Sequence, residues 1–289
     1  MPQVINTNMM SLNAQRSLNR SQGSMQTSLE RLSSGLRINR AKDDAAGLAI
    51  SERITSQVRG LDQAIRNAND GISLVQTAEG AMEEMANALQ RMRELAVQAA
   101  NGTYNLSDRK SLNDEFQALK SEITRTRATA EFNNLSLLGS SRSLSLQVGW
   151  ENGTNNVITL GTLDVALESF GSGGIANALS GSVFIGSGAS GGSMSTGDIN
   201  RAMSLMTSAL EAISSLRADF GAVQNRLDSA VRNMENVIEN QSAARSRIQD
   251  ADFARETAKL TRTQILQQAG TAMLAQANQL PQNVLSLLQ

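Results

Sequence analysis

Apolar residues in the first half of the chain recur at alternating spacings of four and three: Ile54, Val58, Leu61, Ile65, Ala68, Ile72 and Val75. That is the seam of a coiled-coil helix, in which one narrow stripe faces a partner and the other positions face water. The stripe shifts phase around Ala78, Glu79 and Gly80, then resumes as Met82, Met85, Leu89, Met92, Ala96 and Ala99. With Asn101-Gly102 as a left-handed stop, the pattern predicts one helix from near Ala45 to Ala100, on the order of 80 Å long. Ser107 can cap a shorter helix carrying Leu112, Phe116, Leu119 and Ile123, expected to fold back on the first.

The period changes after Glu131-Phe132-Asn133-Asn134. Leu144, Leu146 and Val148 alternate with Ser145, Gln147 and Gly149, and Val157 and Thr159 follow across Asn152-Gly153, which predicts a β-hairpin around an Asn-Gly turn. From Gly171 to Gly197 the chain is rich in Gly and Ser and carries no assignable period. A second long helix is predicted from Thr196 or Asp198 through Ile199, Met203, Met206, Leu210, Ile213, Leu216, Phe220, Val223, Leu227, Ala230, Met234 and Val237, with one phase slip at Ile213. Its narrow seam needs a partner, and the two earlier helices supply one.

The ends carry thinner stripes: Leu18, Met25, Leu29, Leu32 and Leu36 near the start, and Ile265, Ala269, Met273, Ala277, Leu280 and Val284 near the finish. Helices with so little apolar surface are marginal alone, so both ends are expected to be poorly ordered in a monomer and to fold against partners. The fold class is therefore mainly α: a long antiparallel coiled-coil or helix bundle built from the N- and C-terminal halves, with a small central β-hairpin region.

Composition agrees. Apolar residues make up 40% of 289 positions, with 12 Met, while aromatics make up only 3%, so a core of Leu, Ile, Val, Ala and Met, the residues that line helix seams, is expected. The two prolines are Pro2 and Pro281, which leaves the interior free of helix breakers. With no His and no Cys, His-bearing triads, thiol nucleophiles, zinc sites and the usual haem ligation are excluded. An enzyme would have to rely on carboxylates, Ser/Thr, Arg or the four lysines Lys42, Lys110, Lys120 and Lys259. A balance of 26 basic against 27 acidic residues supplies no global positive field, so nucleic-acid binding is not expected. The start lacks the basic and apolar regions of a secretory signal, and no apolar run is long enough for a membrane span, so no membrane insertion is expected.

Weaker patterns have ordinary explanations. Gly186, Gly188 and Gly191 match a dinucleotide fingerprint but sit in low-complexity chain without a βαβ unit. Asp43-Asp44 and Glu83-Glu84 read as a helix cap and a solvated face, because sequence neighbours on a helix point apart. The sequons at Asn101, Asn105, Asn134 and Asn152 read as chance, whereas the Ser/Thr residues of the Ser172–Thr196 loop are open to O-linked sugar or to none.

Several motifs in register carry a resemblance. They are Leu29-Glu30-Arg31-Leu32-Ser33-Ser34-Gly35-Leu36-Arg37-Ile38-Asn39, Ala41-Lys42-Asp43-Asp44-Ala45-Ala46-Gly47-Leu48-Ala49-Ile50, Asn67-Ala68-Asn69-Asp70-Gly71-Ile72-Ser73, Leu89 to Gln98, and Ala277 to Leu288. Together they resemble bacterial flagellin over roughly the first half and the last third, leaving the middle unmatched. The resemblance implies a short flagellin without large outer domains, self-assembling into the flagellar filament for motility. It implies an inner core from residues 1–44 with 246–289, a helical rod domain from 45–139 with 196–245, and a surface segment from 140–195.

It further implies export through the flagellar type III channel to an extracellular flagellum, and as partners other copies of the chain, an export chaperone, junction proteins and the filament cap. No cofactor or metal is implied. Flagellins bound by Toll-like receptor five are similar to this chain at Gln90, Arg91, Leu95, Gln98 and Glu115. Arg91, Leu95 and Gln98 fall one position before seam residues Met92, Ala96 and Ala99, so Leu95 is expected to be displaced from the seam and to serve filament packing and the receptor. The rival readings are a hook–filament junction protein of related sequence and a coiled-coil adaptor that forms a small closed oligomer.

Overall fold

The computed structural model describes residues 8–139, 143–161 and 196–285. Residues 162–195 lie outside the described residues, and with them the glycine pattern and the Ser/Thr loop up to residue 195. Among the described residues five helices carry the fold: α1 (Met9–Ser34), α2 (Ala45–Ala100), α3 (Leu106–Thr129), α4 (Thr196–Gln249) and α5 (Phe253–Leu285). The described residues between α3 and α4 include two small antiparallel hairpins, β1 (Glu131–Phe132) with β2 (Leu135–Ser136), and β3 (Leu144–Gln147) with β4 (Val157–Leu160). The mainly helical reading with a small β region holds.

The helix ends follow side-chain chemistry. Asn8 caps α1 by accepting the Ser11 amide, and Gly35 closes it at φ 70°, a left-handed position that favours glycine. Asp44 Oδ1 accepts the Gly47 amide at 2.8 Å and starts α2, while Asp43 Oδ2 takes the Asn39 and Arg40 amides, so this acidic pair works in turn and cap. At α3 the cap is Asn105, not Ser107. Asn105 and Asp108 form a reciprocal capping box, and the Ser107 hydroxyl donates to Asn105 Oδ1. Asn101 and Gly102 are not left-handed; α2 ends with the Asn101 amide on Gln98 O and the Thr103 amide on Asn101 Oδ1.

The described chain forms two compact units, residues 59–238 and residues 1–58 with 239–289. In the 59–238 unit one buried row of α2 is Leu61, Ala64, Ala68, Gly71, Val75, Ala78, Met82, Met85, Leu89, Met92, Ala96 and Ala99, an unbroken alternation of three and four, with Leu74 and Leu95 buried beside it. On α4 the same alternation runs Ile199, Ala202, Met206, Ala209, Ile213, Leu216, Phe220, Val223, Leu227, Ala230 and Met234, with Leu216, Val223 and Ala230 half-buried. Neither helix has the predicted phase slip. Alanine and glycine fill the positions that large apolar residues leave open, and the seam passes straight through. Phe116 and Ile123 of α3 are fully buried in the same core, with Leu112 and Leu119 packed against it.

The β3–β4 hairpin lies on α2. Leu146 reaches Gly71, where an added Cβ would stand 2.3 Å from Leu146 Cδ1, and Asn67 Nδ2 donates to Gln147 O. Its register pairs Leu144 with Leu160 and Leu146 with Ile158, so Ile158 and Leu160 face inward on β4 and Thr159 faces out. Asn152-Gly153 is no two-residue turn: the strands are joined by residues 148–156, which include a 3-10 turn at Thr154–Asn156. The tight turn is at Asn133-Asn134, with φ of 50° and 62° as a type I′ turn requires.

In the other unit α1 pairs with α5. The facing row on α1 is Ser11, Ala14, Leu18, Ser21, Met25, Ser28 and Leu32; on α5 it is Glu256, Leu260, Thr263, Gln267, Gly270, Leu274 and Ala277, again three and four. The expectation that the ends gain order only against partners differs from this, since one chain already forms and pairs both helices. Polar side chains supply the cohesion that the thin apolar stripe lacks. Ser28 Oγ donates to Glu256 Oε1 at 2.7 Å, Ser11 Oγ to Asn278 Oδ1, and Asn8 Nδ2 to Ala277 O. A short β-bridge between Leu36 and Asp250 ties the two connectors, with the Ala251 amide on Gly35 O and the Arg37 amide on Gln249 O.

Candidate functional site

The α1–α5 pair holds Leu18, Met25, Leu32, Leu260 and Leu274 in its pairing row and leaves a second set of large apolar residues outside. Met9, Met10, Leu12 and Leu29 on α1, and Phe253, Ile265, Leu266 and Met273 on α5, are 45–62% exposed. The stripe expected on α5 through Ile265, Ala269 and Met273 is thus an outward row, and only Ala277 of that row faces α1 among the described side chains. The pairing row on α5 mixes Leu260, Leu274 and Ala277 with Gly270, where Leu18 Cδ1 lies 3.4 Å from the place of a Cβ, and with polar Thr263, Gln267 and Glu256. A helix that is apolar on one side and occupied on the other has two faces to bury. One is used within the chain; the other is open.

Glu256 is the charged centre of the pairing row. Its side chain is 7% exposed, and besides Ser28 it meets Lys259 Nζ at 3.1 Å. Burial pushes its carboxyl up, but the hydrogen bonds from Ser28 and Lys259 and the charges of Lys259 and Arg31 outweigh it and hold it below the usual glutamate value. Asp43, in the nearby connector, is also lowered, chiefly by the Arg40 amide.

The second candidate surface is in the 59–238 unit. Arg91 bridges two elements: Nη2 stands 2.9 Å from Glu115 Oε1 on α3, and Nη1 3.1 Å from Glu94 Oε2 on its own helix. Those two carboxylates, Glu115 first, raise the Arg91 value further above its already high range. Gln98 Nε2 donates to the Tyr104 hydroxyl at 3.0 Å, and Gln90 is exposed beside them. Gln90, Arg91, Gln98 and Glu115 are therefore on the surface. Leu95 is not: it is 1% exposed and belongs to the core with Met92, Ala96 and Ala99. The correction has a plain cause. Here α2 shares a core with α3 and α4, so it buries an arc wide enough for two adjacent rows, and the exposed apolar residue of this turn is Val97. Glu83 and Glu84 both lie on the solvated face of α2.

Comparison with known proteins places this geometry. The model of the bacterial flagellin N-terminal helical region matches residues 5–143, and that of the bacterial flagellin C-terminal helical region matches 203–288. Flagellin of Halalkalibacterium halodurans is 46% identical over 287 residues, covering 99% of this chain and 100% of that one. Flagellin A of Vibrio cholerae is 39% identical over an alignment of 377 positions that covers 99% of each chain. A putative flagellar hook-associated protein from Vibrio parahaemolyticus shares the fold at a TM-score of 0.60, with 12% identity, over 72% of this chain and 100% of that chain.

The fold and surfaces define a helical structural subunit. The chain belongs to the bacterial flagellin family, the subunits of the flagellar filament. It is a short member. The Vibrio alignment is longer than the 289 residues present here, so that relative carries added sequence between the matched ends.

Proposed function

We propose that this chain polymerises into the filament through its terminal helix pair, residues 1–44 with 246–289 forming the inner core. Residues 45–139 with 196–245 form the shell around it, and 140–195 the outer surface. The carrying observation is the outward apolar row on α5, Ile265, Leu266 and Met273, with Met9, Met10, Leu12 and Leu29 on α1. A row of one kind facing a different patch on the next copy makes heterologous contacts, which build a filament where the rotation between copies does not close. The role is structural, without catalysis. Export through the flagellar channel brings the subunit to an extracellular filament, with an export chaperone, junction proteins and the cap as partners along the way.

The experiment is sedimentation and negative-stain microscopy of the full chain under salting-out conditions, beside the variant Ile265→Asp/Met273→Asp. Long filaments from the native chain and soluble, equally helical monomer from the variant are expected. Filaments from both would refute the placement, and small closed particles from the native chain would return it to the adaptor or junction class.

The exposed set Gln90, Arg91, Gln98 and Glu115 is proposed as the contact for Toll-like receptor five, supported by family resemblance and by its position on the surface. Arg91→Ala should weaken receptor signalling in a reporter assay with the helical content retained. Unchanged signalling would remove Arg91 from the contact.

A further inference from the structure

We infer that the terminal helix pair is an oxidation-sensitive site: conversion of Met9, Met10 and Met273 to sulfoxides by a peroxide-class oxidant stops the subunit from polymerising. The distribution of methionine carries it. Met82, Met85, Met92, Met206 and Met234 are 0–4% exposed in the core of the 59–238 unit, while Met9, Met10 and Met273 are 59–62% exposed. Met25 and Met203 are half-buried. The chain has no Cys, so no thiol competes for the oxidant and the exposed thioethers are its softest nucleophiles.

The chemistry balances without a further reactant. A sulfur lone pair takes one peroxide oxygen, the O–O bond breaks as the S–O bond forms, and the other oxygen leaves as water after proton transfer. Sulfur loses two electrons and the peroxide gains them. A flexible apolar side chain becomes a polar one that must be desolvated without a partner if it is buried. In the folded subunit the three sites already meet solvent, so oxidation leaves the helix pair and the methionine core intact and acts only on the outward face. Reduction of the sulfoxide by a dithiol-dependent reductase reverses the step, giving a disulfide and water.

The inference rests on the proposed placement of assembly contacts on this face, and the test separates the two. Full-length protein is treated with hydrogen peroxide, the peroxide is removed, oxygen uptake is mapped by peptide mass, helicity is checked by circular dichroism, and polymer is sedimented. Expected are uptake at Met9, Met10 and Met273, intact core methionines, unchanged helicity and a rise on the order of tenfold or more in the concentration needed for polymer. The variant Met9→Leu/Met10→Leu/Met273→Leu should polymerise equally before and after peroxide. Oxidation at all three sites with undiminished polymer, or an oxidised variant that fails as the native chain does, overturns the inference. Should the unoxidised variant itself not polymerise, methionine sulfoxide reductase treatment of the oxidised native chain decides. Recovered polymer supports the inference and no recovery overturns it. The placement of the face fails on a different result, filaments from Ile265→Asp/Met273→Asp.

Discussion

Ser28→Ala isolates one of the polar bonds between the terminal helices. Ser28 is 3% exposed and its hydroxyl donates to Glu256 Oε1 at 2.7 Å. Removing the donor costs a hydrogen bond to a charged group, about 1.5–3 kcal/mol, and leaves Lys259, half exposed at the rim, as the side chain still bonded to Glu256. At about 1.4 kcal/mol per tenfold, the local opening equilibrium should shift by about ten- to a hundredfold. Hydrogen exchange reads this directly. Amides of α1 around Ser21–Leu32 and of α5 around Glu256–Gln267 should exchange faster by that factor, while the α2 and α4 amides beside Met82, Met85 and Met206 should not change. Exchange within a factor of about two of the native chain at α1 and α5 would refute the view that this polar bond contributes to the stability of the pair.

Three further outcomes follow from the same geometry. Because Glu256 is held below its ordinary value in the fold, its contribution is complete above the glutamate range and is lost as pH falls through it. Glu256→Gln should therefore flatten the acid loss of α1–α5 protection; an unchanged acid profile would contradict this. Gly60→Ala places a Cβ 2.8 Å from Trp150 Cβ, and since Trp150 is the chain's only tryptophan, its emission should shift toward that of a hydrated indole. Stability should stay within about 1 kcal/mol because alanine favours the helix by a similar amount; an unchanged spectrum would disprove the close approach. Phe116→Ala, at a fully buried site, should destabilise the 59–238 unit by about 3–5 kcal/mol in urea unfolding, and a loss under about 1 kcal/mol would show that the core collapses around the gap.

Much of this fold is legible in the chain. The extent of α2, the face of α3, the strands β3 and β4 and the start of α4 follow from period, although the expected Asn101-Gly102 stop, Ser107 cap and Asn152-Gly153 turn are replaced by other local contacts. The phase slips do not exist because a seam reading that favours large residues jumps over Ala64, Gly71 and Ala78 on α2 and over Ala202 and Ala209 on α4. Small residues leave no hydrophobic signal, yet they let neighbouring helices come close. Leu95 was misplaced for the complementary reason, since a helix with two partners buries two adjacent rows and a single seam accounts for one. Asn133-Asn134 held a readable turn signal, two residues tolerant of positive φ between Phe132 and Leu135.

The terminal pair divides its apolar residues between an inner row and an outward row, and the division has a physical reason. α1 and α5 belong to one chain and are tied by the Leu36–Asp250 bridge, so they meet at high effective concentration and a seam that mixes Leu18, Met25, Leu32, Leu260 and Leu274 with serine, threonine and glycine suffices. A contact between subunits has no such tether and must overcome the loss of translational and rotational freedom on its own. It therefore needs the larger residues. Ile265, Leu266 and Met273 are about half to three-fifths exposed in the single chain, so on the proposed assembly covering them would add about 1 kcal/mol each, repeated at every subunit along the polymer. On that proposal, a mixed polar and apolar seam inward with a further apolar row outward would favour the ordered ends more strongly once neighbours arrive.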